Sequence, residues 1–327
     1  MNRINQLFQD SPKNLLSIYF CAGCPTLEGT ADVIRTLERN GVHSIEIGIP
    51  FSDPMADGIV IQEAATRALR NGMSLRILFE QLRDIRSDVR IPLILMGYLN
   101  PIMKFGFEAF CQKCVECGID GVIIPDLPFK DYEETYKPIA DRYDIRVIML
   151  ITPETSEARV REIDEHTNGF IYMVSSAATT GAQKDFDSQK QAYFKKIQDM
   201  HLRNPRMVGF GISNKQTFDA ACANSSGAII GSRFVTLLNE AVADLQQTKK
   251  VDIDKAKAGV KEFLDRPEGF AKQDNPKYWS DWLNDSSKEN VVLMLDFPEI
   301  GAPDAWVKAH TVKKSNSLFN ALSKFKK

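Results

Sequence analysis

Eight short apolar runs rich in β-branched residues recur along this chain of 327 residues: LSIYF (16–20), SIEIG (44–48), PLILM (92–96), GVIIP (121–125), RVIMLI (146–151), GFIYMV (169–174), MVGFG (207–211) and GAIIG (227–231). Between them lie stretches of helical character such as TADVIRTLERNG, LRILFEQLRDIR, FEAFCQKCVECG, DYEETYKPIADRY, SEARVREIDEHT and KQTFDAACANS, several opening on a Ser, Thr or Asp that can cap a helix. Strict alternation of strand and helix argues for a parallel sheet. Eight such units in roughly 250 residues suit an α/β (β/α)8 barrel better than an open doubly wound sheet, which offers fewer strands and an early glycine fingerprint. The opening MNRINQLFQD is expected to add a helix at the barrel floor.

In a barrel of this kind chemistry sits at the carboxyl ends of the strands. Residues 45–63 read IEIGIPFSDPMADGIVIQE, a strand carrying an acid followed by a loop rich in Pro, Gly and Asp whose later acid, Asp57, precedes a helix. Side chains alternate along a strand, so Ile45 and Ile47 face one way and Glu46 the other, towards the inside of the sheet. Strands covered on both faces normally run apolar, so such a glutamate is either a paired structural charge or a chemical one. Asp57, taken alone, reads equally as a turn residue or helix cap. Tyr172 near the end of strand six and the glycines after strands six, seven and eight (Gly181, Gly211, Gly231) fall at the same end of the barrel.

Strand seven runs into GFGIS and strand eight into GS before an apolar helix. Two turns thus place backbone N–H groups and a helix start near Ser232 side by side, which suits a phosphate: glycine lets oxygens approach the backbone, and the helix N-terminus favours an anion. Tight-turn geometry alone is the other reading of these glycines.

The formal net charge of −2 gives no global footprint for nucleic acid. No signal-peptide core and no apolar run of membrane-spanning length appears, so neither membrane nor nucleic acid is expected as a partner and a cytoplasmic location is. Of the six cysteines, Cys21 and Cys24 form a CxxC, and Cys111, Cys114 and Cys117 form a CxxCxxC. The second set falls on a helix ending at Gly118, where Cys111 and Cys114 share a face and Cys117 lies beyond; this is no metal knuckle, and the thiols are expected to be reduced packing residues without a bound metal. All four histidines, His43, His166, His201 and His310, sit outside the motifs and read as surface or packing residues.

Glu46 followed by PFSDP and ADG, then LILMGYLNP (93–101), GIDGVIIPDLP (118–128), IYMVSSAATTGAQ (171–183), VGFGIS (208–213) and AIIGS (228–232), in that order, resembles the tryptophan synthase α subunit family over about residues 1–265. The resemblance implies a carbon–carbon lyase of tryptophan biosynthesis that cleaves indole-3-glycerol phosphate to indole and glyceraldehyde 3-phosphate. It implies no cofactor in this chain, and a pyridoxal-phosphate β subunit as partner, receiving indole through a tunnel in an αββα assembly. Carried over residue by residue, it makes Glu46 and Asp57 catalytic, places Tyr19, Met96, Tyr172 and Thr180 against the substrate, with Thr180 on a closing loop, and gives Gly181, Gly211, Gly231 and Ser232 to the phosphate. Cleavage needs an acid to protonate indole C3 and a base for the side-chain hydroxyl, while an ionised group faces the indole nitrogen. A desolvated Glu46 with a raised pKa suits the first two tasks, and Asp57, on a more polar loop, suits the third. Tyr19, Met96 and Tyr172 also suit plain core. Ile59 stands where the family usually has proline, and Ala178 and Thr179 replace the common Gly-Val; loop rigidity and signalling to the partner are the properties these changes touch. A free-standing indole-glycerol-phosphate lyase and a non-catalytic regulatory subunit that binds the phosphate ligand are the alternatives.

Residues 1–266 make the barrel, with VDIDKAKAGVKEFLDR as its last helix, and residues 267–327 form an extension beyond the family's usual end. All three tryptophans, Trp279, Trp282 and Trp306, lie in it. That composition break marks the boundary, and the apolar content is enough to pack. The extension is read as packing on the barrel's outer helices, as a partner-binding segment, or as a fused piece.

Overall fold

The computed structural model of the chain describes residues 1–175, 188–209, 211–212 and 214–239. Thr180, Gly181, Ala178, Thr179, His310, the helix expected at 251–266 and the extension 267–327 lie outside the described residues. All eight apolar runs form strands: β1 (Leu15–Cys21), β2 (Ser44–Gly48), β3 (Leu93–Met96), β4 (Gly121–Ile123), β5 (Arg146–Ile151), β6 (Ile171–Val174), β7 (Arg206–Gly209) and β8 (Gly227–Ile230). They close into a barrel in sequence order, each parallel to the next, with β8 returning to β1.

The helices follow in the expected rhythm. Helix α1 (Arg3–Asp10) precedes the barrel, and α2 (Thr30–Arg39), α3 (Ile59–Arg70), α4 (Leu75–Leu82), α5 (Leu99–Phe105) and α6 (Phe107–Glu116) cover the first half. After β4, α7 (Phe129–Asp131) runs through a π-helical turn (Tyr132–Tyr136) into α8 (Lys137–Arg142), and α9 (Glu157–His166), α10 (Ser188–Asp199) and α11 (Lys215–Asn224) complete the set, with a further helix, α12, at 232–239. Local caps fix several starts: Ser74 and Ser156 accept from the N–H groups of Ile77 and Arg159, and Asn214 with Thr217 makes a reciprocal capping box. Helix α6 stops where the sequence predicts, with Cys117 as its cap and Gly118 at φ +68°.

Two apolar cores follow from the alternation of side chains along each strand. Outward residues such as Ile18, Phe20, Ile45, Ile47 and Leu95 pack against the helices, whereas Leu15, Ile94, Ile123, Ile148, Tyr172, Met207 and Ile229 fill the barrel. Ile4 of α1 closes the bottom, beneath Gly121, where an added methyl would lie 2.8 Å from its Cδ1. Polar contacts pin that plug. Asn2 caps α1 and donates from Nδ2 to the carbonyls of Asp120 and Asp144 at 2.9 and 2.8 Å.

Asp120, 3% exposed, accepts from Arg3 Nη1 at 2.9 Å, Arg86 Nη2 at 2.6 Å and the N–H of Leu93 at 2.9 Å. Removing one member of a buried ionic set strands the others. Asp120→Ala should therefore lower unfolding free energy by about 3 kcal/mol in urea titrations; a loss below about 1 kcal/mol, the scale of an exposed pair, would show that the floor is held by Ile4 and Asn2 alone.

Candidate active site

Glu46 points into the barrel, as its position in the strand predicts, and is wholly buried. Its neighbours in register are Tyr19 on β1 and Ile94 on β3. Oε1 accepts a hydrogen bond from Ser17 Oγ at 3.3 Å, while Oε2 has no hydrogen-bond partner among the described residues. Burial in this apolar layer pushes the carboxyl up from 4.5 to about 8, against a smaller downward pull from the Ser17 hydroxyl. The side chain is thus poised to exchange a proton near neutral pH.

Two tyrosines wall the same space. An added methyl at Gly48 would lie 2.2 Å from the Tyr19 hydroxyl, and one at Gly209 would lie 2.0 Å from that of Tyr172. Glycine at these strand ends is what lets the rings turn inward. Tyr172 is buried, and its phenol is raised well above 10, by desolvation first and then by the charges of Glu46 and Asp57. For Tyr19 the order is desolvation, then Cys21, Asp57, Tyr98 and Glu46. The two tyrosines therefore stay protonated and sense both acids. Met96, at the end of β3, packs partly buried against the interior cluster.

Asp57 lies between β2 and α3, held over the mouth by Tyr98, whose hydroxyl donates to its Oδ2 at 2.9 Å. The N–H of Ala56 donates to the same phenol oxygen at 3.0 Å, and Gln62 Nε2 donates to the Asp57 carbonyl at 2.7 Å. The loop is less polar than its composition suggests: burial pushes the Asp57 carboxyl up, and the Tyr98 hydrogen bond opposes that rise. Desolvation pushes the Tyr98 phenol up to about 12, so it remains a donor. Tyr98 and Ser17 are the two contacts of the acids that sequence reasoning passed over. Their signals were an aromatic with a polar tip just past the end of β3, and a serine sharing the face of Tyr19.

Beside this pair of acids, β7 and β8 run together, with Met207 opposite Gly227 and Val208 opposite Ala228. Gly211, after β7, has φ +74°, a conformation that favours glycine, and Gly231 leads from β8 into α12 at Ser232. The N–H of Val235 reaches the Gly231 carbonyl at 3.0 Å, so the first turn of α12 starts at the expected place. Of the four residues expected at a phosphate, these three are described, and all three are at the strand-end face.

A cavity of about 560 Å³ at the opposite end, at the start of β5, is not a rival site. Its polar side chains are already engaged: Lys137 with Asp141, Arg146 with Asp144 and Asn5, Arg203 with the carbonyls of Asp164, Glu165 and Thr167, and His166 with Glu133. All six cysteines carry free, buried thiols, and burial raises the pKa of each. Among the described residues no group of three His, Cys, Asp or Glu could hold a metal ion, and no helix is long and apolar enough to cross a membrane.

A closed parallel eight-stranded barrel with two acids and paired glycine turns at its strand ends defines a (β/α)8-barrel protein with its polar groups gathered at the face where this fold carries chemistry. The family model described as tryptophan synthase alpha chain matches residues 5–265. The tryptophan synthase alpha chain of Bacteroides fragilis is 80% identical over 240 residues, 73% of this chain and 91% of that relative, and that of Phocaeicola vulgatus is 71% identical over 247 residues, 76% and 96% of the two. Among solved structures, the tryptophan synthase subunit alpha of Legionella pneumophila is 35% identical, covers 74% of this chain and 90% of that one, and superposes with a TM-score of 0.67. The chain belongs to the tryptophan synthase alpha chain family, and its function is the alpha-subunit function of tryptophan biosynthesis, a lyase role.

Proposed function

We propose that the chain cleaves indole-3-glycerol phosphate to indole and glyceraldehyde 3-phosphate. The observation that carries this reading is Glu46, fully buried in the apolar mouth of the barrel with Oε2 unpartnered among the described residues, where burial pushes its carboxyl up to about 8. Protonated Glu46 delivers a proton to indole C3, giving an indoleninium whose bond to the glycerol chain can now break. The resulting carboxylate then takes the proton of the adjacent side-chain hydroxyl as the aldehyde forms. Asp57, steered by Tyr98, accepts the indole N–H and balances positive charge on the ring. The glycine turns at Gly211 and Gly231 and the N-terminus of α12 at Ser232 hold the phosphate, with Gly181 joining them. Tyr19, Met96 and Tyr172 bound the indole, and Thr180, outside the described residues, is assigned to the substrate by the family resemblance.

The partner in this reading is a pyridoxal-phosphate β subunit in an αββα assembly, which takes indole directly. A solved tryptophan synthase complex from Pyrococcus furiosus is 32% identical to this chain, covering 70% of it and 91% of the matched chain, with a TM-score of 0.64. Met55 and Ile59, 73% and 71% exposed on the strand-end face, offer apolar surface of the kind a partner covers. The test is indole release from indole-3-glycerol phosphate by the full chain, alone and with a tryptophan synthase β subunit. Weak activity raised at least tenfold by the partner is expected. High activity that the β subunit leaves unchanged would identify a free-standing lyase, and binding without cleavage would identify a regulatory subunit.

A further inference from the structure

We propose that Ser17 is a positioning residue for the proton transfer, fixing one oxygen of Glu46 so that the other faces the substrate. The inference rests on the reading of Glu46 as the acid and base. Ser17 is wholly buried, and it lies on the inward face of β1 with Leu15 and Tyr19. Around it the barrel interior is apolar, filled by residues such as Leu15, Ile94, Met207 and Ile229. A hydroxyl in such a layer is costly unless it has a partner. Its partner is Glu46 Oε1 at 3.3 Å, while Oε2 of the same carboxyl has no hydrogen-bond partner among the described residues.

The geometry is asymmetric in a useful way. In register Ser17 faces Ser44 and Tyr19 faces Glu46, so the Ser17–Glu46 bond runs diagonally across two strands. It ties Oε1 towards the barrel interior and leaves Oε2 as the oxygen able to meet a ligand at the mouth. A hydroxyl donating to Oε1 stabilises the carboxylate, so it also opposes the upward push of burial. Without it, Glu46 would turn more freely and hold its proton more tightly.

The test compares Ser17→Thr with Ser17→Val, which have the same shape and differ by one hydroxyl, in full-chain assays of indole release with the β subunit across pH. Ser17→Thr should keep the parent's alkaline limb. Ser17→Val should lower kcat about tenfold with KM within about twofold, and should move the alkaline limb upward by about one pH unit. Coincident pH profiles for the two variants would overturn the assignment, because a packing role would affect both alike. Glu46→Gln in the same assay separates the premises: an inactive Glu46→Gln beside coincident Thr and Val profiles removes the role of Ser17 alone, whereas an active Glu46→Gln removes both. Should both variants fail to fold, Ser17→Ala, which adds no volume, takes the place of valine and is read against the parent.

Discussion

Replacing Glu46 by glutamine should reduce indole release about a thousandfold, with the affinity for indole-3-glycerol phosphate within about twofold of the parent. The amide matches the carboxyl in shape and can still accept from the Ser17 hydroxyl, so binding contacts persist. What disappears is the exchangeable proton, which the reaction uses twice: once at indole C3 and once at the side-chain hydroxyl. General acid–base catalysis by a placed group is worth roughly two to four powers of ten. Because one residue serves both steps, the loss should sit above the lower end of that range. Single-turnover release of indole, with ligand binding measured separately, checks the split. Turnover within tenfold of the parent would mean that another group moves the proton.

The parts of this site that were legible in the sequence are those set by local pattern. Alternation alone turns Glu46 inward, because Ile45 and Ile47 must face the helices, and both pack there. Eight β-branched runs separated by helices leave few closed parallel arrangements, and the right-handed crossover rule leaves fewer. Pairings that depend on the offset between strands were not legible. The hydroxyl of Ser17 shares the face of Tyr19, yet which residue of β2 it meets depends on the tilt of the closed barrel, and the bond runs diagonally. Asp57 read as a residue of a polar loop because Pro, Gly and Asp surround it. In the fold Tyr98, more than forty positions downstream, reaches back to it and takes part of its solvation away. Helix α5 tolerates Pro101 because it occupies the third helical position, where its missing N–H is not needed.

The same buried carboxyl should make the protein less stable as pH rises. In the unfolded chain Glu46 ionises near 4.5, and in the fold near 8. Between these values the native state binds the extra proton, so unfolding free energy falls with rising pH. The contribution of Glu46 is fully present below about 4.5 and is lost as pH passes through about 8. The gap corresponds to roughly 5 kcal/mol at its limit, and the full burial of the side chain leaves little solvent screening to reduce it. Glu46→Gln has no charge to bury. Its unfolding free energy, taken from urea titrations between about pH 5 and pH 9, should therefore gain on the parent up to about pH 8 and level off above it, while titrations common to both proteins cancel in the difference. The amide leaves its own buried donors short of partners, which costs about 1–3 kcal/mol at every pH, so the informative quantity is the slope of the difference and not its offset. A slope of zero would place the Glu46 carboxyl in contact with solvent or a hidden cation and remove the basis for its acidity near neutral pH. A positive slope alongside a lost reaction would show the barrel holding an acid where catalysis needs it and where folding alone would not keep it.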